Sequence, residues 1–274
     1  MKSYGLALLL GIYLSLVGCT SPQQRLATLV AGSDLHVERL GSTALPILGL
    51  APARPTQEGR LRVYLEGDGR AWATATQPSL DPTPRNLLVP RLALSDPGFV
   101  AYLGRPCQFV KGSGCSVASW TSARFGSAVI ASFQVALDEL KRRYRVRQFE
   151  LVGYSGGAAI ALLLAERRQD VVAVQTLAGN LDPLAWTALQ HLQPLYESLD
   201  PLARPEALRA IPQRHLVGRL DTVIPAALAD GYRRKVEGSC TQLVTVEADH
   251  AQGWEPVWRQ WRNEPLPCVS GAAR

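Results

Sequence analysis

The 274-residue chain has no Cys-x-x-Cys spacing, no block of like charge, no internal repeat, no low-complexity tract, and only four histidines. Without closely paired cysteines there is no sign of a thiolate metal cage or a dithiol redox pair. The net charge of +6 comes from 25 arginines and 4 lysines scattered along the sequence, which reads as a solvated surface and assigns no nucleic-acid partner. The densest group, Lys141 to Arg147, falls at the end of an expected helix, where cations meet the negative end of the dipole. What is present is ordinary for a folded protein: 47% hydrophobic and 19% charged residues exclude disorder and fit one α/β domain with a sizeable core.

The first residues combine a lone Lys2, an apolar stretch too short to span a bilayer comfortably, and small residues before Cys19. That is a secretory signal pattern. Leu16-Val17-Gly18-Cys19 resembles the bacterial lipobox, in which the cysteine is acylated and becomes the new N-terminus. The resemblance implies a signal peptide over 1–18, a lipidated tether over 19–31 and a globular domain over 32–274. Thr20 rather than aspartate follows the cysteine, which implies an exported protein anchored at the periplasmic face of a bacterial outer membrane. Export makes disulfides expected. Of the three possible connectivities, local pairing of Cys107 with Cys115 and of Cys240 with Cys268 is preferred.

Short β-favouring runs at "LHVERLGS" and "ALPILGL" precede a clearer strand, "RLRVYLEG". A weak helix and the strand "GFVAYLG" follow, and helical spacing predicts a helix from about 122 to 144. Then come strand "QFELVGY", helix "GGAAIALLLAERR", strand "VVAVQTLAG", a partly helical insertion over 181–212, strand "RHLVG", helix "PAALADGYRRKVEG", strand "TQLVTVEAD" and a closing helix "QGWEPVWRQWR". Strands that are apolar throughout, alternating with helices, predict a mostly parallel sheet covered on both faces.

In "FELVGYSGGAAIALLLAERR" the pattern G-x-S-x-G is met by Gly153, Ser155 and Gly157. An apolar strand precedes it and a helix follows. Small residues are needed because a serine held in a strained turn leaves no room for bulk two positions to either side. On these residues the chain resembles the α/β-hydrolases over most of its mature length, which implies that fold and the chain order nucleophile, acid, histidine. His250, in the loop "ADHAQGW" after the last strand, stands where the family carries its base. His36, His191 and His215 do not, and His215 inside an apolar strand reads as a packed imidazole. For the acid, Asp221 in "RLDTVIP" is similar to the family's loop, and Asp182 in "LAGNLDP" is the alternative. Asp249, adjacent to the histidine, is disfavoured.

The resemblance implies an oxyanion hole from the backbone N–H of Gly156 and a second donor near Asp68. Glu66-Gly67-Asp68-Gly69 replaces the family's His-Gly pair, and a carboxylate there opposes an oxyanion unless it points away or pairs with Arg70. The activity implied is cofactor-free and metal-free cleavage of a carboxylic ester or related acyl bond by Ser155, His250 and Asp221, with a small or medium acyl substrate. Acyl transfer or peptide cleavage by the same residues, and an inert lipid-anchored binding protein, are the alternatives. Trp186, Leu189, Leu192, Leu195 and Tyr196 of the insertion either line an acyl pocket or simply pack.

Overall fold

Uninterrupted apolar runs become the middle of one sheet. The computed structural model describes residues 20–54, 59–237 and 240–268, so Cys19 and the segment before it lie outside the described residues. The strands are β1 (Leu35–Gly41), β2 (Pro46–Pro52), β3 (Arg60–Leu65), β4 (Val100–Leu103), β5 (Gln148–Tyr154), β6 (Val171–Leu177), β7 (Gln213–Gly218) and β8 (Thr241–Val246). They form an eight-stranded sheet in the order β1-β2-β4-β3-β5-β6-β7-β8. β1 pairs antiparallel with β2, and β2 antiparallel with β4. Every other pairing is parallel, so the C-terminal ends of β3 to β8 share one edge, as ligand sites of open α/β sheets require.

The helices are α1 (Pro22–Val30), α2 (Leu88–Leu94), α3 (Ser127–Tyr144), α4 (Gly156–Ala165), α5 (Pro183–Leu189), α6 (Glu206–Arg209), α7 (Ala226–Val236) and α8 (Trp254–Trp261). α3, α4 and α7 pack with one face of the sheet, while α1, α2 and α8 pack with the other. All ten residues of α4 are buried, because an all-apolar helix has no face to offer water. α8 is fixed through Trp258, whose Nε1 donates to the Tyr64 hydroxyl at 2.8 Å. That hydroxyl donates in turn to Asp96, which pairs with Arg62 at 2.6 Å. No helix among the described residues is long and apolar enough to cross a membrane.

The segment 22–30, expected as a short tether with one helical turn, is a docked nine-residue helix with Leu26 and Val30 buried. A capping box between Ser21 and Gln24 and a proline in the first turn start it. Gln23 donates to the carbonyl of Phe109 at 3.0 Å, and Arg25 to that of Arg85 at 3.2 Å. Both expected disulfides are formed, Cys107–Cys115 and Cys240–Cys268.

Candidate active site

β5 runs directly into Ser155, whose φ of 51° and ψ of −123° place a non-glycine residue in a region that costs about 1–3 kcal/mol. The neighbours accept this turn only because they lack side chains. A Cβ at Gly153 would lie 2.6 Å from the backbone of Ala158, and one at Gly157 2.4 Å from the Leu65 carbonyl. The turn lifts the hydroxyl above the strand ends at the start of α4, where helical N–H groups have no intrahelical acceptor.

Three side chains from three loops meet there. Ser155 Oγ lies 3.1 Å from His250 Nε2, and His250 Nδ1 lies 2.9 Å from Asp221 Oδ2. A carboxylate only accepts, so this contact assigns the imidazole proton to Nδ1 and leaves Nε2 to accept from the serine hydroxyl. Asp221 is buried, and its other oxygen accepts the backbone N–H groups of Val223 and Ile224, both at 2.8 Å. The histidine loop is held by its own carbonyl, which accepts from the Tyr154 hydroxyl at 2.5 Å and from Trp254 Nε1 at 3.2 Å.

The other acid candidates are occupied elsewhere. Asp182 caps α5 by accepting the N–H of Ala185 at 2.9 Å, and its second oxygen pairs with Lys235 at 2.5 Å. Asp249 accepts the N–H groups of Ala251 and Gln252 at 2.7 Å and so shapes the loop instead of facing the ring. His215 is buried, 2.9 Å from Thr176 Oγ1, and desolvation lowers its pKa to about 3.

The residues after β3 form the opposite wall. Gly67 lies against the nucleophile, since a Cβ on it would be 3.1 Å from the Ser155 Cβ. Its carbonyl accepts from Gln108 Nε2 at 3.1 Å. No acceptor among the described residues takes the Asp68 N–H. The Asp68 carboxylate does not pair with Arg70. It is bound instead by Arg105 at 2.8 Å and Arg124 at 2.7 Å. Burial opposes the ionised carboxylate, but the two guanidiniums outweigh that cost and hold its pKa below the ordinary value. The three groups together carry one net positive charge, which removes the electrostatic objection raised by an aspartate at this position.

A cleft of about 440 Å³ opens over Ser155, lined by Glu66, Trp72, Asn180, Trp186, Ile224 and His250 among others. Trp186 of the insertion therefore lines the cleft, with Nε1 donating to the Val223 carbonyl at 2.9 Å. Leu195 is buried, whereas Leu189, Leu192 and Tyr196 are exposed. Glu66 is buried and its pKa rises to about 7, mainly through desolvation, although its carboxyl group accepts from Gly67 N and the Tyr102 hydroxyl. Asn180 is buried, donates its N–H to the Ser155 carbonyl at 3.0 Å, and its Oδ1 has no hydrogen-bond partner among the described residues. Arg105, Arg124, Gln108 and Asn180 were not identified from the sequence, because nothing in the spacing ties them to the elbow. No group of three or more metal-ligating side chains is present among the described residues.

The strand order, the strand-turn-helix around Ser155 and the loops that converge on it define an α/β-hydrolase fold. Solved structures agree with it at low identity. An esterase from Pyrococcus furiosus superposes with a TM-score of 0.60 at 13% identity, covering 90% of this chain and 93% of that one. A cold-adapted esterase from an Arctic intertidal metagenomic library gives 0.58 at 14%, covering 84% and 91%. An acylaminoacyl peptidase from Pyrococcus horikoshii gives 0.57 at 12%, with 82% of this chain matching 39% of that one. No protein-family model matches the sequence, nor does any curated protein.

Proposed function

We propose that the chain is a serine hydrolase that cleaves a carboxylic ester or related acyl bond and works as an exported, lipid-anchored protein. The observation that carries the reading is the unbroken series of contacts from Ser155 Oγ through the imidazole of His250 to Asp221. The serine hydroxyl attacks the acyl carbonyl as Nε2 takes its proton. The imidazolium is stabilised by Asp221 and then returns the proton to the leaving alkoxide, giving an acyl-enzyme and free alcohol. Water, deprotonated by the same imidazole, releases the acid and restores the serine.

The tetrahedral oxyanion is held by the N–H of Gly156 and that of Asp68. Arg105 and Arg124 set the second donor by clamping the Asp68 carboxylate. Their net positive charge beside the site favours the anion, and a lost donor of this kind costs about 100-fold to 1000-fold in turnover. Esterases and a peptidase among the similar folds support hydrolysis as the class of reaction. The open cleft and short insertion favour small or medium acyl groups.

The test is fluorophosphonate labelling of the full chain, alongside turnover on a panel of ester, amide and thioester substrates. Wild type is expected to label and Ser155→Ala to lose both labelling and turnover. A wild-type protein that neither labels nor hydrolyses any substrate would leave the inert binding protein as the better reading.

A further inference from the structure

We propose that the sheet edge carrying the Ser155 cleft docks on a bilayer surface containing anionic lipid, so that the acyl substrate is taken from that surface. The docking stands on surface geometry together with the proposed anchor at Cys19, while the substrate clause rests on the serine-hydrolase reading above.

Eleven large apolar side chains are prominently exposed among the described residues. Nine of them lie in the connections that follow the C-terminal ends of β3, β4, β6 and β7, two of these nine in α5, and only Val37 and Val135 lie elsewhere. This is a one-sided distribution, unlike the scatter of single apolar residues normal for a soluble surface. Leu80 is 90% exposed and Tyr196 82% exposed. Trp72, from the same loop as Leu80, is 42% exposed and lines the cleft. Tyrosine and tryptophan at such a rim suit the polar-apolar boundary of a bilayer.

The first described residues lie at the same edge. β1 begins at Leu35 opposite Pro52, on the side of the sheet where the parallel strands start, and α1 reaches it from the other side. The first turns of α1 are accordingly bonded to Phe109 and Arg85, in loops at the cleft edge. Ser21 caps the helix, so an anchor at Cys19 has only two residues of reach, which span at most about 7 Å. A membrane attached there lies against the cleft edge and not against the opposite one.

Charge selects anionic lipid. Arg70 and Arg85 line the cleft and pair with no carboxylate among the described residues. Of the acidic groups of this edge, Asp81 pairs with Lys111, Glu247 with Arg219 and Glu255 with Arg91, while Glu197 is held by the Ser122 hydroxyl and Asp249 by two backbone N–H groups. Free arginines beside exposed apolar side chains are the combination by which peripheral proteins bind anionic interfaces.

The experiment uses the full chain reconstituted into vesicles of phosphatidylethanolamine and phosphatidylglycerol, with and without brominated acyl chains. Brominated lipid is expected to quench tryptophan emission, and Trp72→Phe to remove at least half of the quenchable part. Leu80→Asp combined with Tyr196→Asp, both prominently exposed, is expected to lower turnover of a vesicle-embedded medium-chain ester at least 10-fold. Hydrolysis of soluble p-nitrophenyl acetate should change less than 2-fold. Equal quenching in wild type and Trp72→Phe, with equal loss on both substrates or none, overturns the docking. So does a dimer seen by sedimentation that the double substitution dissociates while no lipid quenching occurs. Quenching as strong on purely phosphatidylcholine vesicles overturns the anionic assignment. Trp72-dependent quenching in a chain that hydrolyses nothing supports docking and instead sinks the hydrolase reading.

Discussion

At the scale of single residues, two aspartates offered as the acid separate by what each touches. Asp221 faces His250 Nδ1, whereas Asp182 holds the start of α5 and the Lys235 ammonium. Asp221→Asn is therefore expected to lower kcat by about 10⁴-fold, as loss of the correct imidazole tautomer does elsewhere. Asp182→Ala should leave kcat within a few-fold of wild type and cost about 1–2 kcal/mol of stability through the lost cap. Steady-state kinetics and urea melts of both variants decide the matter, and a comparable collapse of kcat in the two would reject Asp221 as the acid. Ser155, His250 and Asp221 were legible in the sequence because each sits just beyond an apolar strand, in an order that a parallel sheet converts into proximity. Arg105 and Arg124 were not, since pairing across 37 and 56 residues leaves no periodic trace, and Arg70 was the nearer but wrong partner.

Among the elements, the β5–α4 turn is the least tolerant. A methyl group on Gly153 would sit 2.6 Å from the Ala158 nitrogen and Cα, and backbone cannot move aside as a flexible side chain can. Gly153→Ala should push α4 away from β5, costing about 1–3 kcal/mol by overpacking, and lower ester turnover at least 10-fold by disturbing the 3.1 Å contact between Ser155 and His250. A thermal melt with parallel kinetics checks both, and unchanged values would show that the turn has slack the distances deny. The parallel strands and long helices were readable because apolar runs and helical spacing are local signals. β5 matches its expected span, and α3 begins five residues later than expected, because the loop before it is spent on Arg124 and Phe125. The segment 22–30 reads as a tether with no more than one helical turn because its buried face is only Leu26 and Val30, too thin a stripe to announce a docked helix without the partner loops in view.

For the whole molecule, two buried groups oppose each other as pH changes. Glu66 holds its proton up to about 7 in the folded state against an ordinary 4.5. The unfolded chain releases that proton first, so stability falls as pH rises from about 4.5 through 7. His215 stays neutral down to about 3, so the unfolded chain gains its proton first and stability falls as pH drops below about 6.5. Glu66→Gln should raise stability by about 3 kcal/mol at pH 8 and by little at pH 4, as read from urea midpoints; equal gains at both would show that burial of the charge is not the cause. The mostly parallel sheet and its two covered faces were foreseeable from apolar strands alternating with helices, but the strand order and the burial of Glu66 were not, because a carboxylate at a strand end reads as solvated until the neighbouring loops close over it. The Cys240–Cys268 bond has its own reach: His250 lies between the two cysteines, so the imidazole rides on a covalent ring. Opening a ring of this length returns about 3–4 kcal/mol of chain entropy to the unfolded state in the loop-closure view. A reductant can therefore loosen the segment that delivers the base without touching any group that meets substrate.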